Sequence, residues 1–400
     1  MPRFEPFAAL RYRSDPLTQV TAPPYDVLSE GDRAELANRH PHNIVHVDVP
    51  LESDGPKRYE RSARILREWI ESGVLALDPE PSFTIYRMSF LDPSGRPRTT
   101  TGVIGSLEVV DEGAGGVLPH ERTTPKAKTD RLDLTRSTLT NLSPVWGLSL
   151  AAGLTEVLSE PGQELGAVET DGVTHTFERI DDPQRVQVVS RCVAGADVVI
   201  ADGHHRYAIS RTFRDEQRRT DTGTSGRAEC TMTFVQELVE SQLSVAAIHR
   251  LYHDVDAGML ITRLAQFFVV GDHVPVDENT TRIMDDLGCL VLVRPDGTGT
   301  LLIPRPEMFA DQRDLDGARL EHALASLDHS VTYQHGVENV LQVLRHGGAA
   351  AGILIRPVTV HEIQRTAREG LLMPPKSTFF TPKLLTGPVL RPMGNSVLLR

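Results

Sequence analysis

The stretch 196–218 constrains the fold of this chain more than any other part of the sequence. Residues 198–201 (Val-Val-Ile-Ala) form a short apolar run, which is typical of a buried strand. Asp202 and Gly203 break that run and indicate a sharp turn. From Tyr207 onward, apolar residues recur at helical spacing. The stretch therefore predicts a strand, a turn and a helix in succession, within a mixed α/β (α+β) protein.

The predicted turn is a candidate anion-binding segment, composed of Asp202, Gly203, His204, His205 and Arg206. Backbone N–H groups collect where a helix begins, and the helix dipole favours an anion there. Gly203 allows a ligand to approach the backbone closely, and Arg206 can form two parallel hydrogen bonds to a phosphate or carboxylate. The alternative is a solvated turn whose histidines pack or face water.

Composition narrows the classes of protein to which the chain can belong. Its 400 residues predict two or three core units, and its formal net charge of -12 argues against a protein that coats nucleic acid. Cys192, Cys230 and Cys289 are far apart, so neither a disulfide framework nor a cysteine zinc site is expected. We expect a cytoplasmic protein without a membrane partner, because no apolar run approaches the ~18 residues of a membrane helix and no signal-peptide core is present. The sequence does not specify an oligomeric state.

Basic residues are almost entirely arginine. The lysines are Lys57, Lys126, Lys128, Lys376 and Lys383, among 42 basic residues in all. Four of them fall in two unusual loops, which suggests a requirement for a compact point charge there. Chance clustering is the alternative.

The first of these loops spans 111–146 and contains few apolar residues between 119 and 131. Long irregular segments in compact domains are often functional. Its charged and titratable side chains include His120, Glu121, Arg122, Lys126, Lys128 and Arg131. They can supply a general base and phosphate-binding cations. A solvated loop is the alternative, and the His-Glu pair is not a zinc signature, because no second histidine follows at helical spacing.

The second loop, 371–387, contains three prolines and can form neither a helix nor a central strand. It carries Lys376, Ser377, Thr378 and Lys383, which suit contact with an anion. It can equally be a C-terminal strap anchored by aromatic residues.

A stiff segment near the start of the chain is a third candidate. Pro23 and Pro24 fix two φ angles and hold Tyr25 and Asp26 in place. Asp26 can bind a metal ion or a substrate there, or it can cap a turn.

Other segments give ordinary structural signals. Ser29 predicts the start of a helix over 31–38, and the apolar spacing over 57–75 predicts another. The alternating residues of 44–49 predict a strand. We predict a motif-bearing core over 1–254, a scaffold or covering subdomain over 255–330, and a segment over 331–400 that returns to the core.

Four of these segments together resemble a known family. They are 23–27 (Pro-Pro-Tyr-Asp-Val), 119–123 (Pro-His-Glu-Arg-Thr), 201–207 (Ala-Asp-Gly-His-His-Arg-Tyr) and 373–380 (Met-Pro-Pro-Lys-Ser-Thr-Phe-Phe). In this order they resemble the domain-of-unknown-function family numbered 1015, over nearly the whole chain.

A second, more distant resemblance indicates what the chain binds. Residues 202–206 are similar to the phosphate-binding motif of the free serine kinases in the ParB/sulfiredoxin superfamily. This resemblance implies a ParB/sulfiredoxin-like nucleotide-binding core with additional strands and helices, with nucleotide phosphates bound at 202–206. It also implies ATP or ADP, together with Mg²⁺, as cofactors. Those kinases use a glutamate as catalytic base, and we assign Glu121 that role on chemistry alone.

These observations lead to a first hypothesis of an ATP- or ADP-dependent kinase that acts on a small hydroxyl metabolite such as free serine. Arg206 and a lysine neutralise developing charge, and Glu121 or Asp26 accepts the hydroxyl proton. Phosphate contacts come from 202–206 and from Lys376, Ser377 and Thr378. Substrate contacts come from His120, Arg122, Lys126 and Arg131.

Two alternatives remain. One is a non-catalytic protein that responds to a bound nucleotide. The other is a metal-dependent hydrolase that uses Asp202, His204, His205 and His120 as ligands. Neither reading includes a nucleic-acid partner.

Overall fold

The computed structural model describes residues 1–92, 95–121, 128–220, 225–277 and 279–394. The chain divides into two compact units, Met1–Leu243 with Pro382–Arg400, and Ser244–Thr381. Each unit combines helices with β-sheet, so the predicted mixed α/β fold class is confirmed.

The first unit contains the strands β1 to β12 and β21. Their bounds are β1 Phe4–Glu5, β2 Leu10–Tyr12, β3 Leu75–Leu77, β4 Phe83–Leu91, β5 Pro97–Glu108, β6 Val117–Pro119, β7 Thr140–Asn141, β8 Val145–Ser149, β9 Gln163–Thr170, β10 Val173–Ile180, β11 Val198–Asp202, β12 Cys230–Glu237 and β21 Arg391–Pro392. Its α-helices are α1 Leu17–Val20, α2 Glu30–Arg39, α3 Val45–Asp48, α4 Arg58–Glu71, α5 Lys128–Thr138, α6 Leu154–Val157, α7 Pro183–Ala194, α8 His204–Thr220 and α9 Ser225–Ala228. Short 3₁₀ helices cover Tyr25–Val27, Glu52–Lys57 and Glu240–Gln242.

The main sheet of this unit places β11 close to one edge. Within the described ranges the strand order is β6-β11-β8-β12-β5-β4-β10-β9, with β1 paired to β5. β11 runs parallel to β6 and antiparallel to β8. Val198 and Ile200 belong to the core beneath the sheet, with Phe83, Ile85 and Val103. Burial of β11 on this core fixes where α8 begins.

The predicted strand and helix of the central stretch are both present, but the turn between them is shorter than expected. Asp202 ends β11, and α8 begins at His204. His204, His205 and Arg206 therefore form the first turn of the helix instead of a loop. Gly203 links the two elements at φ +82°, a left-handed conformation that glycine adopts without strain.

Local signals elsewhere in the unit have mixed outcomes. Helix α2 is capped by Ser29, whose side chain accepts from Asp32 N–H, as the sequence predicts. The predicted strand over 44–49 is wrong, because Val45–Asp48 form α3. There Asn43 Oδ1 accepts from the N–H of Val45, and Asp48 N–H donates to Ile44 O. A short apolar run fits a buried helical turn as well as a strand.

The second unit has its own sheet. Its strands are β13 Val245–Ala246, β14 Ile248–His253, β15 Phe268–Pro275, β16 Leu290–Val293, β17 Thr298–Pro304, β18 Ser330–His335, β19 Ala351–Leu354 and β20 Phe379–Phe380. Its helices are α10 Ala257–Leu264, α11 Thr280–Leu287, α12 Asp316–Leu324, α13 Val337–Arg345 and α14 Val360–Arg368, with a 3₁₀ turn at Pro306–Phe309. Over the described residues, the sheet order is β15-β17-β16-β19-β14-β18, and β13 pairs with β20.

The strand pairing of this sheet shows which stretches of the sequence belong to the second unit. β14 lies between β18 and β19, and β16 pairs with β19. Residues before 255, within 255–330 and after 331 therefore share one sheet. The chain then returns to the first unit at Pro382. None of the helices in the described part of the chain has both the length and the apolar character needed to cross a bilayer.

Candidate functional site

The first unit contains a small pocket beside the start of α8. Helices α5 and α8, the 3₁₀ turn at Tyr25 and the segment 140–143 contribute its walls. The lining residues are Tyr25, Asp48, Arg131, Leu134, Thr135, Thr140, Asn141, Leu142, Ser143, Arg206, Ile209, Ser210 and Thr231. The pocket thus combines two arginines with hydroxyl and amide groups.

Arg206 enters this pocket from the first turn of α8. Its side chain is 11% exposed, and its Nη1 donates to the carbonyl oxygen of Pro144. Burial alone would lower its pKa, but Asp202, Asp26 and Tyr25 raise it. The guanidinium is therefore a permanent positive charge in a largely dehydrated place.

Asp202 is paired by two cations. Lys383 Nζ lies 3.1 Å from its Oδ2, and Arg206 Nη2 lies 3.6 Å from the same oxygen. The N–H of Gly203 donates to Oδ1 at 2.8 Å. Burial by itself would raise the pKa of Asp202, but Lys383 and Arg206 hold it well below its usual range. The carboxylate is therefore ionised at neutral pH and acts as a fixed counter-charge.

Arg131 approaches the same pocket from α5. Its Nη1 donates to Asp48 O at 2.7 Å and to Asp48 Oδ1 at 3.0 Å. Its guanidinium carbon lies 3.8 Å from the centre of the Tyr25 ring. Burial raises the pKa of Asp48, and Arg131 and Arg206 oppose that rise. Arg131 is therefore held by a carboxylate and an aromatic face, with its planar group at the pocket wall.

The structure buries His120, a predicted substrate contact, completely (0% exposed). The prediction that His120 lies in a loop outside the core is wrong, because β6 extends to Pro119 and Pro119 pairs with Ile200 of β11. The Nδ1–H of His120 donates to Ile200 O, and its ring centre lies 4.9 Å from that of His204. Burial lowers the pKa of His120, so it is neutral.

Glu121 and Asp26 lie on other elements and do not line the pocket. Because Pro119 and Ile200 are partners in parallel strands, Glu121 and Asp202 both lie at the carboxyl ends of neighbouring strands. Glu121 is half-buried. Asp26 is exposed, and its charge acts on Arg206, Tyr25 and Asp48.

Of the predicted site residues that the structure describes, Arg131 and Arg206 line this pocket and the others do not. Arg122 and Lys126 lie outside the described residues. Lys376, Ser377 and Thr378 belong to the second unit, where Lys376 O accepts from Arg250 and Ser377 Oγ donates to Pro374 O at 2.8 Å. Their role in phosphate binding remains a prediction.

The ligand set of the hydrolase alternative gains no geometric support. Among the described residues, one group of three ligating side chains has its ligand atoms within 4.8 Å of one another, and it contains none of Asp202, His204, His205 and His120. Asp202 is instead paired with Lys383 and Arg206.

Sequence reasoning missed several residues of the site. Asp48 falls in the segment 44–49 that the sequence predicts to be a strand, and the sequence predicts Lys383 as an anion contact without any link to Asp202. The polar wall residues Thr135, Asn141, Ser143, Ser210 and Thr231 were not selected. The scarcity of lysine was a usable signal for Lys383. No local pattern marks Asp48, because its partner Arg131 lies 83 positions away.

Comparison with solved structures finds distant similarities. A conserved hypothetical protein from Pyrococcus furiosus has 13% identity and a TM-score of 0.37, with 66% of this chain and 87% of that chain covered. A free serine kinase in complex with AMP has 12% identity and a TM-score of 0.38, with coverage of 69% and 87%. SbnI with a C-terminal truncation, from Staphylococcus aureus, has 12% identity and a TM-score of 0.38, with coverage of 74% and 92%. Comparison with curated proteins finds no match. The ParB/sulfiredoxin assignment stays a prediction.

The family comparison covers most of the chain. A family described as a protein of unknown function (DUF1015) matches residues 4–330. This range includes the motifs at 23–27, 119–123 and 201–207, and it ends before the motif at 373–380. Since the match spans well over half of the sequence, the chain belongs to the DUF1015 family.

Proposed function

We propose that the first unit binds the phosphates of a nucleotide beside Arg206 and transfers a phosphoryl group to the hydroxyl of a small metabolite. The observation that carries this proposal is the pair of arginines, Arg131 and Arg206, which reach one pocket from two different helices. Guanidinium groups bind phosphate oxygens through paired hydrogen bonds. Phosphoryl transfer depends mainly on positioning and on positive charge.

The start of α8 forms the phosphate side of the proposed site. The first intrahelical bond of α8 is donated by Tyr207 N–H to Gly203 O, so the amides of 204–206 precede the helical ladder. The dipole of this 17-residue helix adds to the charge of Arg206. Because Lys383 also pairs with the carboxylate of Asp202, Asp202 neutralises only part of the charge of Arg206.

Asp26 and Glu121 form the proposed acceptor side. In the reaction the acceptor oxygen bonds to the terminal phosphorus, the bond from phosphorus to the leaving nucleotide oxygen breaks, and a carboxylate takes the hydroxyl proton. The same two carboxylates provide the oxygen ligands that Mg²⁺ prefers. Mg²⁺ would neutralise charge on the phosphate oxygens when bound. Free serine is the first acceptor to test, because residues 202–206 are similar to the motif of free serine kinases.

Thermal shift tests the binding step. The protein is heated with ATP, ADP, CTP or pyrophosphate, each with and without Mg²⁺, because a ligand of the folded state raises Tm. We expect a shift in the native protein and in Arg211→Ala, a control on the outer part of α8 where Arg211 pairs with exposed Glu112. We expect the shift to disappear in Arg206→Ala and to weaken in Arg206→Lys, which keeps the charge and loses the planar fork. No shift with any of the four ligands would refute nucleotide binding.

Turnover tests the transfer step. The protein is incubated with the nucleotide that binds and with serine or other hydroxyl metabolites, and phosphorylated product is followed by ³¹P NMR. Asp26→Asn and Glu121→Gln identify the proton acceptor, since only one of them should abolish product while nucleotide binding persists. Binding without product from any acceptor would support the non-catalytic nucleotide-responsive protein instead.

A further inference from the structure

A cluster of ligating side chains lies in the first unit, and none of its members lines the pocket described above. It consists of Asp15, His40 and His42, which contribute one carboxylate oxygen and two imidazole nitrogens within 4.8 Å of one another. Each of the three residues is half-buried, so an ion can reach them from solvent. We propose that Asp15, His40 and His42 bind a divalent transition-metal ion of the zinc type.

The backbone holds the two imidazoles at a fixed spacing. His40 follows the end of α2 in an extended conformation, with φ -156° and ψ 138°. Pro41 is the only residue between His40 and His42, and its ring fixes φ at that position. The His-Pro-His segment therefore presents two nitrogen donors from one stiff stretch of chain.

His42 is held in place by several contacts. Its Nδ1 lies 2.7 Å from Asp15 Oδ2, and its carbonyl oxygen accepts from Tyr12 Oη at 2.8 Å. Its ring meets Trp69 edge-on, with ring centres 5.6 Å apart. Its backbone N–H donates to His40 Nδ1 at 3.1 Å. A carboxylate beside an imidazole is a usual arrangement around bound metal ions, either as a ligand itself or as a group that orients the histidine.

The donor set selects the class of ion. Imidazole nitrogens favour zinc and its neighbours in the first transition row over magnesium and calcium, which prefer oxygen. Zinc bonds to nitrogen and oxygen donors at about 2.0–2.2 Å, so two donors of one tetrahedral site lie roughly 3.4 Å apart. The three donor atoms here lie within 4.8 Å of one another, which is the range that such a site requires. Three protein ligands leave a fourth position for water.

Binding would connect two separate segments of the chain. Asp15 lies just beyond β2, whereas His40 and His42 lie between α2 and α3. An ion bound to both segments stabilises the folded state in proportion to its occupancy. The proposed role is therefore structural, and it does not depend on the phosphotransfer proposal.

Cobalt substitution tests this site directly. The full-length protein is stripped with chelator and titrated with Co²⁺, whose visible absorption is intense in a tetrahedral site, and Zn²⁺ is then added as a competitor. We expect one equivalent to bind in the native protein and in the control His346→Ala, which removes an exposed imidazole just after α13. In His40→Ala and in Asp15→Asn we expect affinity to fall at least tenfold.

A second measurement separates loss of ligand from loss of fold. Zn²⁺ should raise Tm in the native protein and in His346→Ala but not in His40→Ala or Asp15→Asn, and all four proteins should give the same far-ultraviolet circular dichroism in chelator. The proposal is overturned if no equivalent binds. It is overturned equally if Asp15→Asn and His40→Ala both bind Co²⁺ as tightly as the native protein.

Discussion

Lys383 Nζ lies 3.1 Å from Asp202 Oδ2 and so links the last segment of the first unit to the end of β11. The two residues are 181 positions apart in the sequence. Arg206 lies 3.6 Å from the same carboxylate oxygen. The ammonium group therefore shares the negative charge of Asp202 with the guanidinium that lines the pocket.

Replacing Lys383 by methionine should lower the free energy of unfolding by about 2 kcal/mol, because it removes a partner from a carboxylate that is mostly shielded from water. Urea unfolding at pH 7 measures the loss. In an Asp202→Asn background the same replacement should cost at least about 1 kcal/mol less, since the charge that Lys383 neutralises is then absent. Equal losses in both backgrounds would show that the two residues are not coupled.

Replacing Gly203 by alanine should impair both stability and ligand binding. A left-handed φ costs a non-glycine residue roughly 1 kcal/mol, and the new Cβ would lie 2.9 Å from Arg206 Nε. Gly172→Ala is a matched control, with φ +72° and no atom within 4 Å of the added Cβ. Both variants should lose similar stability in urea unfolding. Only Gly203→Ala should weaken the nucleotide-induced shift in Tm; equal shifts in the two variants would count against contact between Arg206 and the ligand.

Arg131 and Asp48 should behave as a coupled pair. Arg131→Met leaves the carboxylate of Asp48, which is 4% exposed, without its guanidinium partner and should lower the free energy of unfolding by about 3 kcal/mol. Adding Asp48→Asn should recover part of that loss, because the buried charge is then gone. A double-mutant cycle by chemical denaturation gives the coupling energy, and a value near zero would contradict the pairing.

Stability should fall as the pH drops below about 6.5, through His175. Burial lowers the pKa of His175 to about 4, and its Nδ1 accepts from Tyr86 Oη at 2.7 Å. The unfolded chain therefore takes up the proton first, and up to about 3 kcal/mol of stability is lost between pH 6.5 and 4. His175→Gln should flatten this part of the profile, whereas His346→Gln should leave it unchanged. A variant profile parallel to that of the native protein would refute this role.

Asp202 acts in a different pH range, which keeps the two effects distinguishable. Its pKa lies below the ordinary value of 3.8, so its contribution is complete above that pH and is lost only in stronger acid. Unfolding curves recorded between pH 7 and 4.5 therefore show little change at Asp202. Burial also lowers the pKa of His249, to about 4, and that of His120, so the difference between the native and His175→Gln profiles gives the share of His175.

Local signals predicted much of the fold because they depend on neighbouring residues. Ser29 and Asp32 cap α2 across three positions, and the apolar run before Asp202 is long enough to identify β11. The helical turn at Val45–Asp48 was not predictable in the same way. Its alternating apolar residues are buried on more than one side, so the strand pattern appears without a strand.

Residues of the candidate site were predictable only where they belong to one continuous sequence motif. Arg206 follows directly from the sequence order of strand, glycine and helix. The partners of Arg131 and Asp202 do not, because Asp48 and Lys383 become neighbours only through tertiary packing. For His120 the local sequence misled the prediction. The stretch around it is polar, and nothing in it indicates that β6 extends to Pro119 and buries the imidazole against β11.

The return of the chain to the first unit at Pro382 has a consequence for biosynthesis. A ribosome delivers residues 1–243, then the whole of 244–381, and only afterwards the segment that contains Lys383, Leu385 and Arg391. Leu385 N–H donates to Tyr86 Oη, and Arg391 Nη1 donates to Cys230 O. Until these residues have left the exit tunnel, the nascent first unit lacks one of the two cations that pair with Asp202 and the donor to Tyr86. The ion pairing at the end of β11 is therefore completed late in synthesis, after the inserted unit has been made.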